Sequence, residues 1–268
     1  MPTVSTKIEI LTSARNPLLK SVRRAAARGT LTDEGLCVAE TFHLLEEALR
    51  SDSEIRTIIS AESVYPTVER HVKGLKQAHV VRVPDALFDE LSVTESSQGV
   101  MTLVRPPAWT LEDQFRGQSL VLVIDGVQDP GNAGAILRAA EAFGATGVIF
   151  LKGTVNPYNP KAIRASAGSV FRQPLITGLD DTLVSATLEQ KRLDVYAAMP
   201  AGDKVLGTVD LARRCALIIG AEGRGVSTKL RSIAFDLRIP VSQVESLNAA
   251  MAAGILLYEA RRQRQIQP

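Results

Sequence analysis

The feature that most constrains this chain is a run without alternation, Leu120-Val121-Leu122-Val123-Ile124. Neighbouring side chains on a strand point to opposite faces, so an unbroken apolar run between polar loops reads as a strand covered on both sides. Such a strand belongs inside a parallel sheet with helices on both faces. Cys215-Ala216-Leu217-Ile218-Ile219 repeats the pattern and Val148 to Leu151 is a shorter copy. Further strands are predicted around Gln173 to Ile176, at Asp194 to Ala198 and at Leu237 to Ile239. Helical spacing predicts helices at Ala133 to Phe143 (stopped by Gly144), Lys161 to Ser169 and Asp181 to Lys191, with a short one before the strand at Leu237. Residues 118–268 therefore read as a doubly wound α/β domain.

The first half alternates too. A basic helix runs from Asn16-Pro17-Leu18 to Arg28, entered through a proline. Strands follow at Gly35 to Ala39, Ile55 to Ser60, His79 to Val83 and Gly99 to Val104. Helices are expected at Glu40 to Arg50, Ser63 to Leu75 and Asp85 to Leu91, the last capped by Asp85. Thr94 to Gly99 reads as a polar loop. This gives a small α/β sandwich over 1–105 and a proline-punctuated linker over 106–117; a chain of 268 residues has room for both domains.

Composition narrows the class. Hydrophobic content of 45% and charge of 22% suit a soluble globular protein. No apolar run approaches the length of a membrane span, and the first residues lack the basic-apolar-small order of a secretory signal, so a cytoplasmic protein without a membrane partner is expected. The two cysteines, Cys37 and Cys215, sit in strand-like apolar runs and read as buried thiols; no metal-ligand cluster is expected. The net charge of +2 says less than its distribution. Lys7, Arg15, Lys20, Arg23, Arg24 and Arg28 face a single acid, Glu9, within the first 29 residues. Arg15, Lys20, Arg23, Arg24 and Arg28 are the candidates for contacting a phosphate backbone; a solvated amphipathic helix is the plainer alternative.

The stretch Ile239 to Arg262 carries an unusual helix. Leu247, Ala250, Met251, Gly254, Ile255 and Tyr258 share one face, and Ala249, Ala252, Ala253, Leu256 and Leu257 the other. A helix apolar nearly all round needs cover on both sides, in a core or from a second subunit.

Three loops follow strands of the second half, where open α/β sheets bind ligands. They are Asp125 to Gly134, leading to Arg138; Gly220 to Gly225; and Val241 to Asn248. The glycines at 220, 223 and 225 read G-x-x-G-x-G, the reverse of the dinucleotide pattern. No G-x-x-x-x-G-K-[ST] occurs, so a nucleotide fold of either kind is disfavoured. Singly, these residues have ordinary roles available. Asn132 could cap its helix, Ser246 the last helix, Arg138 could pair with Glu141, and Glu222 could serve the short helix that follows.

Together they resemble one family. Asn132-Ala133-Gly134-Ala135-Ile136-Leu137-Arg138, Ile218-Ile219-Gly220-Ala221-Glu222-Gly223-Arg224-Gly225, and Ile239-Pro240 with Glu245-Ser246-Leu247-Asn248 are similar, in order and spacing, to the three motifs of the SpoU (TrmH-like) RNA 2′-O-methyltransferases of the SPOUT superfamily. Lys161 to Ser169 looks like the family's segment between the first two motifs. The N-terminal half resembles the family's ribosomal-protein-like substrate-binding domain, with Ala39-Glu40-Thr41 where members often have Val-Glu-Gly.

The resemblance implies a trefoil-knotted catalytic domain, a homodimer through the last helix, and S-adenosyl-L-methionine as cofactor. Ile219, Gly220, Ile239, Val241 and Leu247 would hold it. Arg138, Asn132, Glu222, Ser246 and Asn248 would form the catalytic set, with no metal. Arg138 stands where the family has the arginine proposed to activate the ribose hydroxyl. A guanidinium stays protonated at ordinary pH, so it suits gripping a phosphate and stabilising alkoxide charge. The implied substrate is RNA, ribosomal ahead of transfer RNA. A non-catalytic RNA-binding or ribosome assembly factor is the alternative from another class.

Overall fold

The computed structural model describes residues 7–73, 79–94 and 96–266. The chain divides into two compact units, one made of Met1–Pro107 and Tyr158–Phe171, the other of Ala108–Pro157 and Arg172–Pro268.

The first unit contains β1 (Lys7–Ile10), α1 (Pro17–Arg28), β2 (Cys37–Glu40), α2 (Phe42–Arg50), β3 (Ile55–Ala61), α3 (Tyr65–Val72), β4 (His79–Val83), α4 (Asp85–Asp89) and β5 (Val100–Val104). Its five strands lie in the order β1-β4-β3-β5-β2. β1, β4 and β3 are parallel, and β5 runs antiparallel to β3 and β2. Strand alternation sorts the core into two layers. Ile59 and Val81 join Leu19, Val22 and Phe88 of α1 and α4, while their neighbours Ile58 and Val80 join Leu45, Val68 and Val72 of α2 and α3.

The second unit contains β6 (Leu120–Asp125), α5 (Pro130–Phe143), β7 (Gly147–Leu151), then, after α6 (Pro160–Ser166) of the first unit, β8 (Leu175–Leu179), α7 (Asp181–Gln190), β9 (Asp194–Ala198), β10 (Lys204–Val205), β11 (Cys215–Gly220), α8 (Thr228–Arg231), β12 (Phe235–Arg238) and α9 (Ala249–Ile266). The strands form one sheet in the order β10-β12-β9-β11-β6-β7-β8, every pair parallel. β6 and β11 are covered on both faces, as their unbroken apolar runs require. Val121, Val123, Ala216 and Ile218 pack with Val184, Leu188 and Leu230 of α7 and α8. Leu120, Leu122, Leu217 and Ile219 are buried on the face where α5 and α9 pack together. The chain runs outward through β6, β7 and β8, then returns to place β9 beyond β11. The order reverses at β6 and β11, the place where parallel sheets open a crevice at their carboxyl ends.

Several local expectations shift. β1 and β10 were not anticipated; both are short edge strands, and β10 has two residues. The helix expected over Ser63 to Leu75 is a 3-10 turn, Glu62–Val64, followed by α3, with Pro66 in its first turn; residues 74 and 75 lie outside those described. Asp85 is the first residue of α4, not its cap, and its Oδ1 accepts from the amide (3.1 Å) and hydroxyl (3.0 Å) of Ser63. Glu40 ends β2 and is 1% exposed; its carboxylate accepts from the hydroxyls of Ser92 and Thr94, so the polar loop has a structural use. Glu95 of that loop lies outside the described residues. α6 belongs with the first unit although sequence reading assigned it to the second domain. It packs against β2, and Asn159, which caps it, lies so close to Gly29 that a Cβ there would meet its amide.

The last helix is covered on one face within this unit. Ala253, Leu256, Leu257 and Ala260 are buried, whereas Met251 is 57% and Tyr258 56% exposed, with Ile255 open between them. Its far end is fastened by Arg264, whose guanidinium donates to the carbonyls of Gln118 (2.6 Å), Ser119 (3.1 Å), Leu211 (3.0 Å) and Arg213 (2.7 Å).

Candidate functional site

The loops after β6, β11 and β12 meet at the carboxyl edge of the second sheet. Asn132, Glu222 and Asn248, far apart in sequence, form one hydrogen-bonded cluster there. The Nδ2 of Asn132 donates to Glu222 Oε1 at 3.1 Å. The Nδ2 of Asn248 donates to Asn132 Oδ1 at 3.0 Å and to Glu222 Oε1 at 3.3 Å.

Local structure explains why these side chains are available. Asn132 does not cap α5. Pro130 opens that helix, and Asp129 takes the cap, accepting from the Asn132 amide at 2.8 Å. The carboxamide of Asn132 is thereby left for the cluster. Nor does Ser246 cap α9: Asn248 does, its Oδ1 accepting from the amides of Ala250 (2.9 Å) and Met251 (3.3 Å). One asparagine thus starts the helix with its oxygen and joins the cluster with its nitrogen.

Glu222 rides on a tight turn. Ala221 and Gly225 exchange backbone hydrogen bonds of 3.2 and 2.8 Å, and a Cβ on Gly220 would lie 2.3 Å from the Gly225 carbonyl carbon. Only glycine permits that approach. The turn is tied down beyond Glu222 by Asp125, a carboxylate 3% exposed at the end of β6. Asp125 accepts from the Ser227 amide at 2.6 Å and from Arg224 at 3.4 Å, and the Arg224 guanidinium lies against Gly126, whose φ is +79°.

A cavity of ≈340 Å³ opens beside the cluster, walled by Ile219, Gly220, Ala221, Glu222, Gly225, Ser246, Leu247 and Ala252. It continues into an apolar lobe that Ile239, Val241, Glu245 and Leu237 also line. All five residues expected at a cofactor, Ile219, Gly220, Ile239, Val241 and Leu247, line this hollow. Ser246 lines it too, without a hydrogen bond to the cluster. Sequence reading missed Ala198, Met199 and Pro200, which line both lobes. They follow β9, so the rule that ligands gather at strand carboxyl ends, applied to every strand, would have found them. It missed Asp125 and Arg224 as well, because nothing in the sequence pairs them.

Arg138 lies on α5 six residues beyond Asn132, not at a three-, four- or seven-residue spacing that would align the two. It is exposed and has no hydrogen-bond or ion-pair partner among the described residues. The plainer alternative, a pair with Glu141, is not formed: Glu141 binds Arg172 through two bonds of 2.5 and 3.1 Å. In the first unit, Arg15, Lys20, Arg24 and Arg28 are exposed and Arg23 half-buried. Two of these charges are engaged: Arg23 pairs with Glu90 at 2.7 Å and Arg24 with Asp33. Among the described residues no group of three or more His, Cys, Asp or Glu could hold a metal, and no helix is long and apolar enough to cross a membrane.

Comparison with known proteins matches both units. The SpoU rRNA Methylase family profile fits residues 119–258, and the MRM3-like substrate binding domain profile fits residues 16–102. A Synechocystis protein described as an uncharacterised tRNA/rRNA methyltransferase is 32% identical over 97% of this chain and 96% of its own. The 23S rRNA (guanosine(2553)-2'-O)-methyltransferase RlmP of Bacillus subtilis is 29% identical over 93% of this chain and 98% of its own. The crystal structure of the SpoU methyltransferase AviRb from Streptomyces viridochromogenes, in complex with the cofactor AdoMet, superposes with a TM-score of 0.85 at 26% identity, covering 95% of this chain and all (100%) of that one. A profile spanning more than half of the sequence and relatives matching nearly end to end lead to one conclusion: the chain belongs to the SpoU rRNA methylase family.

Proposed function

We propose that the protein is an S-adenosylmethionine-dependent methyltransferase that modifies a ribose 2′-hydroxyl of RNA, ribosomal RNA ahead of transfer RNA. The observation that carries this reading is the Asn132–Glu222–Asn248 cluster on the rim of a cavity whose lining suits the cofactor. Backbone, glycine and alanine walls admit a nucleoside closely, and the apolar lobe at Leu237, Ile239 and Val241 offers a dry surface for an adenine. When bound, the cofactor supplies a methyl group on a positively charged sulfur.

The chain's own residues then have orienting work to do. Glu222 holds both asparagine amides through Oε1 and turns its second oxygen to the ribose hydroxyl. Asn132 and Asn248 keep that carboxylate in place, and Ser246 faces the same space. Arg138, unpaired on α5, grips the phosphate next to the target ribose and stabilises the negative charge that builds on oxygen as its proton passes to the second oxygen of Glu222. Of the basic residues in the first unit, Arg15, Lys20 and Arg28 are without a side-chain partner among those described and are the primary contacts to RNA phosphates, with Arg23 and Arg24 joining if their acids yield.

The exposed stripe Met251, Ile255 and Tyr258 supports a homodimer through α9, since it follows one helix face opposite the buried one. The trefoil knot of the family is part of the same reading.

The test uses unmodified ribosomal RNA transcript and methyl-labelled cofactor, with Arg138→Ala alongside. Label should appear on a ribose 2′-oxygen, and the variant should lose transfer while retaining cofactor affinity by calorimetry. Near-normal turnover in Arg138→Ala removes that residue's role. Failure of the wild-type chain to bind the cofactor favours an RNA-binding assembly factor instead. A light-scattering mass that stays monomeric would remove the dimer.

A further inference from the structure

We infer that a second hollow of the same unit seats the sugar–phosphate of a nucleotide flanking the target; this rests on the ribose-methylation reading above. The hollow, ≈500 Å³, is lined by Lys152, Asp180, Asp181, Arg224, Ser227 and Thr228. It lies at the carboxyl ends of β6, β7 and β8, whose last or next residues, Asp125, Leu151 and Asp180, reach it. The strand order reverses between β6 and β11, and such a switch point opens a crevice for a ligand. The cavity suited to the cofactor is lined from β9, β11 and β12 instead, by Ala198, Ile219 and Leu237. The crevice over β6, β7 and β8 is left for something else. Arg224 lines both hollows, so the occupant of this one is a neighbour of the reacting groups.

The two cations here are loosely held. Lys152 Nζ stands 3.7 Å from Asp180 Oδ2, and the Arg224 guanidinium 3.4 Å from Asp125 Oδ1. Charge-assisted bonds close to about 2.7–2.9 Å. The two side chains are 68% and 69% exposed, so neither pair contributes much and either cation is free to turn to a phosphate. Two of the acids are committed. Asp125 accepts from the Ser227 amide at 2.6 Å, and Asp180 Oδ1 caps α7 by accepting from the Leu183 amide at 2.8 Å. Asp181 is not: its one hydrogen bond among the described residues is a stretched 3.4 Å contact from the Thr182 hydroxyl. Ser227 stands at the N-cap of α8 without making the cap bond, and its hydroxyl has no partner among the described residues.

Loose cations beside a free carboxylate match one unit of an RNA strand. Phosphodiester oxygens only accept and suit Lys152 and Arg224, while a ribose 2′-hydroxyl donates and suits Asp181. DNA would satisfy the cations and leave the carboxylate without a donor, so the 2′-hydroxyl makes this a site for RNA. No base is read here. The lining holds no aromatic ring to stack on, and its apolar part is Leu151 and Val226 alone. Such a contact sets the register of the strand rather than its sequence.

The experiment maps the methylated nucleotide in unmodified ribosomal RNA transcript, then moves to a short RNA carrying that site. The 2′-hydroxyls of the nearest nucleotides on either side of the target are removed in turn. One such deoxy substitution should lower kcat/KM about fivefold in the wild-type chain, roughly the loss of one hydrogen bond. Asp181→Ala should shrink that penalty below about twofold, which a change of sugar pucker alone would not do. Lys152→Met keeps the apolar stem; it should raise KM for RNA about threefold and lower the salt slope of RNA binding by about one. Its kcat, and its cofactor affinity by calorimetry, should be unchanged. Absence of any flanking deoxy penalty, a penalty that survives in Asp181→Ala, or an unchanged salt slope in Lys152→Met overturns the inference. Absence of ribose methylation by the wild-type chain overturns the underlying function first, and the mapping step tells the two failures apart.

Discussion

Replacing Asn248 separates two jobs that one side chain performs. Its oxygen caps α9, accepting from Ala250 and Met251, and its nitrogen joins Asn132 and Glu222. Asn248→Ala removes both. Loss of an N-cap costs about 1 kcal/mol, and in a unit of this size that corresponds to a fall in Tm of roughly 2–4 °C. Asn248→Ser keeps a capping oxygen and should regain most of that stability, yet it cannot reach the cluster and should stay defective in turnover. Asn248→Asp keeps the cap, gains from a negative charge at the helix start, and sets a second carboxylate where Glu222 Oε1 now lies 3.3 Å away. Two exposed like charges at that range repel by about 1 kcal/mol. Their repulsion raises both pKa values in the folded state, so the penalty is present at neutral pH and shrinks as pH falls through the carboxylate range. Thermal unfolding at pH 7 and pH 4.5, with single-turnover methylation of an RNA transcript, reads the series. A serine variant with wild-type turnover, or an alanine variant with unchanged Tm, would refute the dual role.

Other outcomes follow from charges and burial. Lys20→Glu and Arg28→Glu should weaken RNA binding and flatten its salt dependence, whereas Arg24→Glu should do less because Asp33 already engages that charge; titrations at two ionic strengths decide it. Burial pushes the thiol of Cys37 up to about 12 and that of Cys215 to about 11, the latter despite Arg264 beside it. Both stay protonated at pH 8, and neither should react with iodoacetamide until the chain unfolds, as intact-mass kinetics will read. Asp125→Ala strands the Ser227 amide and frees Arg224, for a loss of about 1–3 kcal/mol. It should also weaken cofactor binding by loosening the turn that carries Glu222; unchanged affinity by calorimetry would count against the clamp.

How far the sequence alone reaches depends on whether the information is local. Leu120 to Ile124 and Cys215 to Ile219 announce buried parallel strands because two-sided burial leaves its mark on each strand separately. The residues that line the cavity beside the cluster coincide with the motif positions, since those residues sit at fixed offsets from strands. The use of Asn132 was not legible. Cap or cluster were both open to it, and the choice was made by Asp129 three residues earlier taking the cap, and by Glu222 arriving from another loop. Asp125 with Arg224 is invisible for the same reason, as the pair exists only once β6 and β11 are neighbours. Edge strands such as Lys204–Val205 fail differently: half-exposed and two residues long, they leave no periodicity to read.

The return of Tyr158–Phe171 to the first unit has a consequence for synthesis. A chain emerging from the ribosome usually completes its N-terminal domain before the next begins. Here β2 waits for α6, and the capping Asn159 for its place beside Gly29, until β6, α5 and β7 have already been made. The N-terminal sheet must persist unfinished while the neighbouring sheet starts to form. Fragments of this protein cut at the linker therefore carry an open flank, and folding order is written into the chain by a segment of fourteen residues, 158–171, placed late.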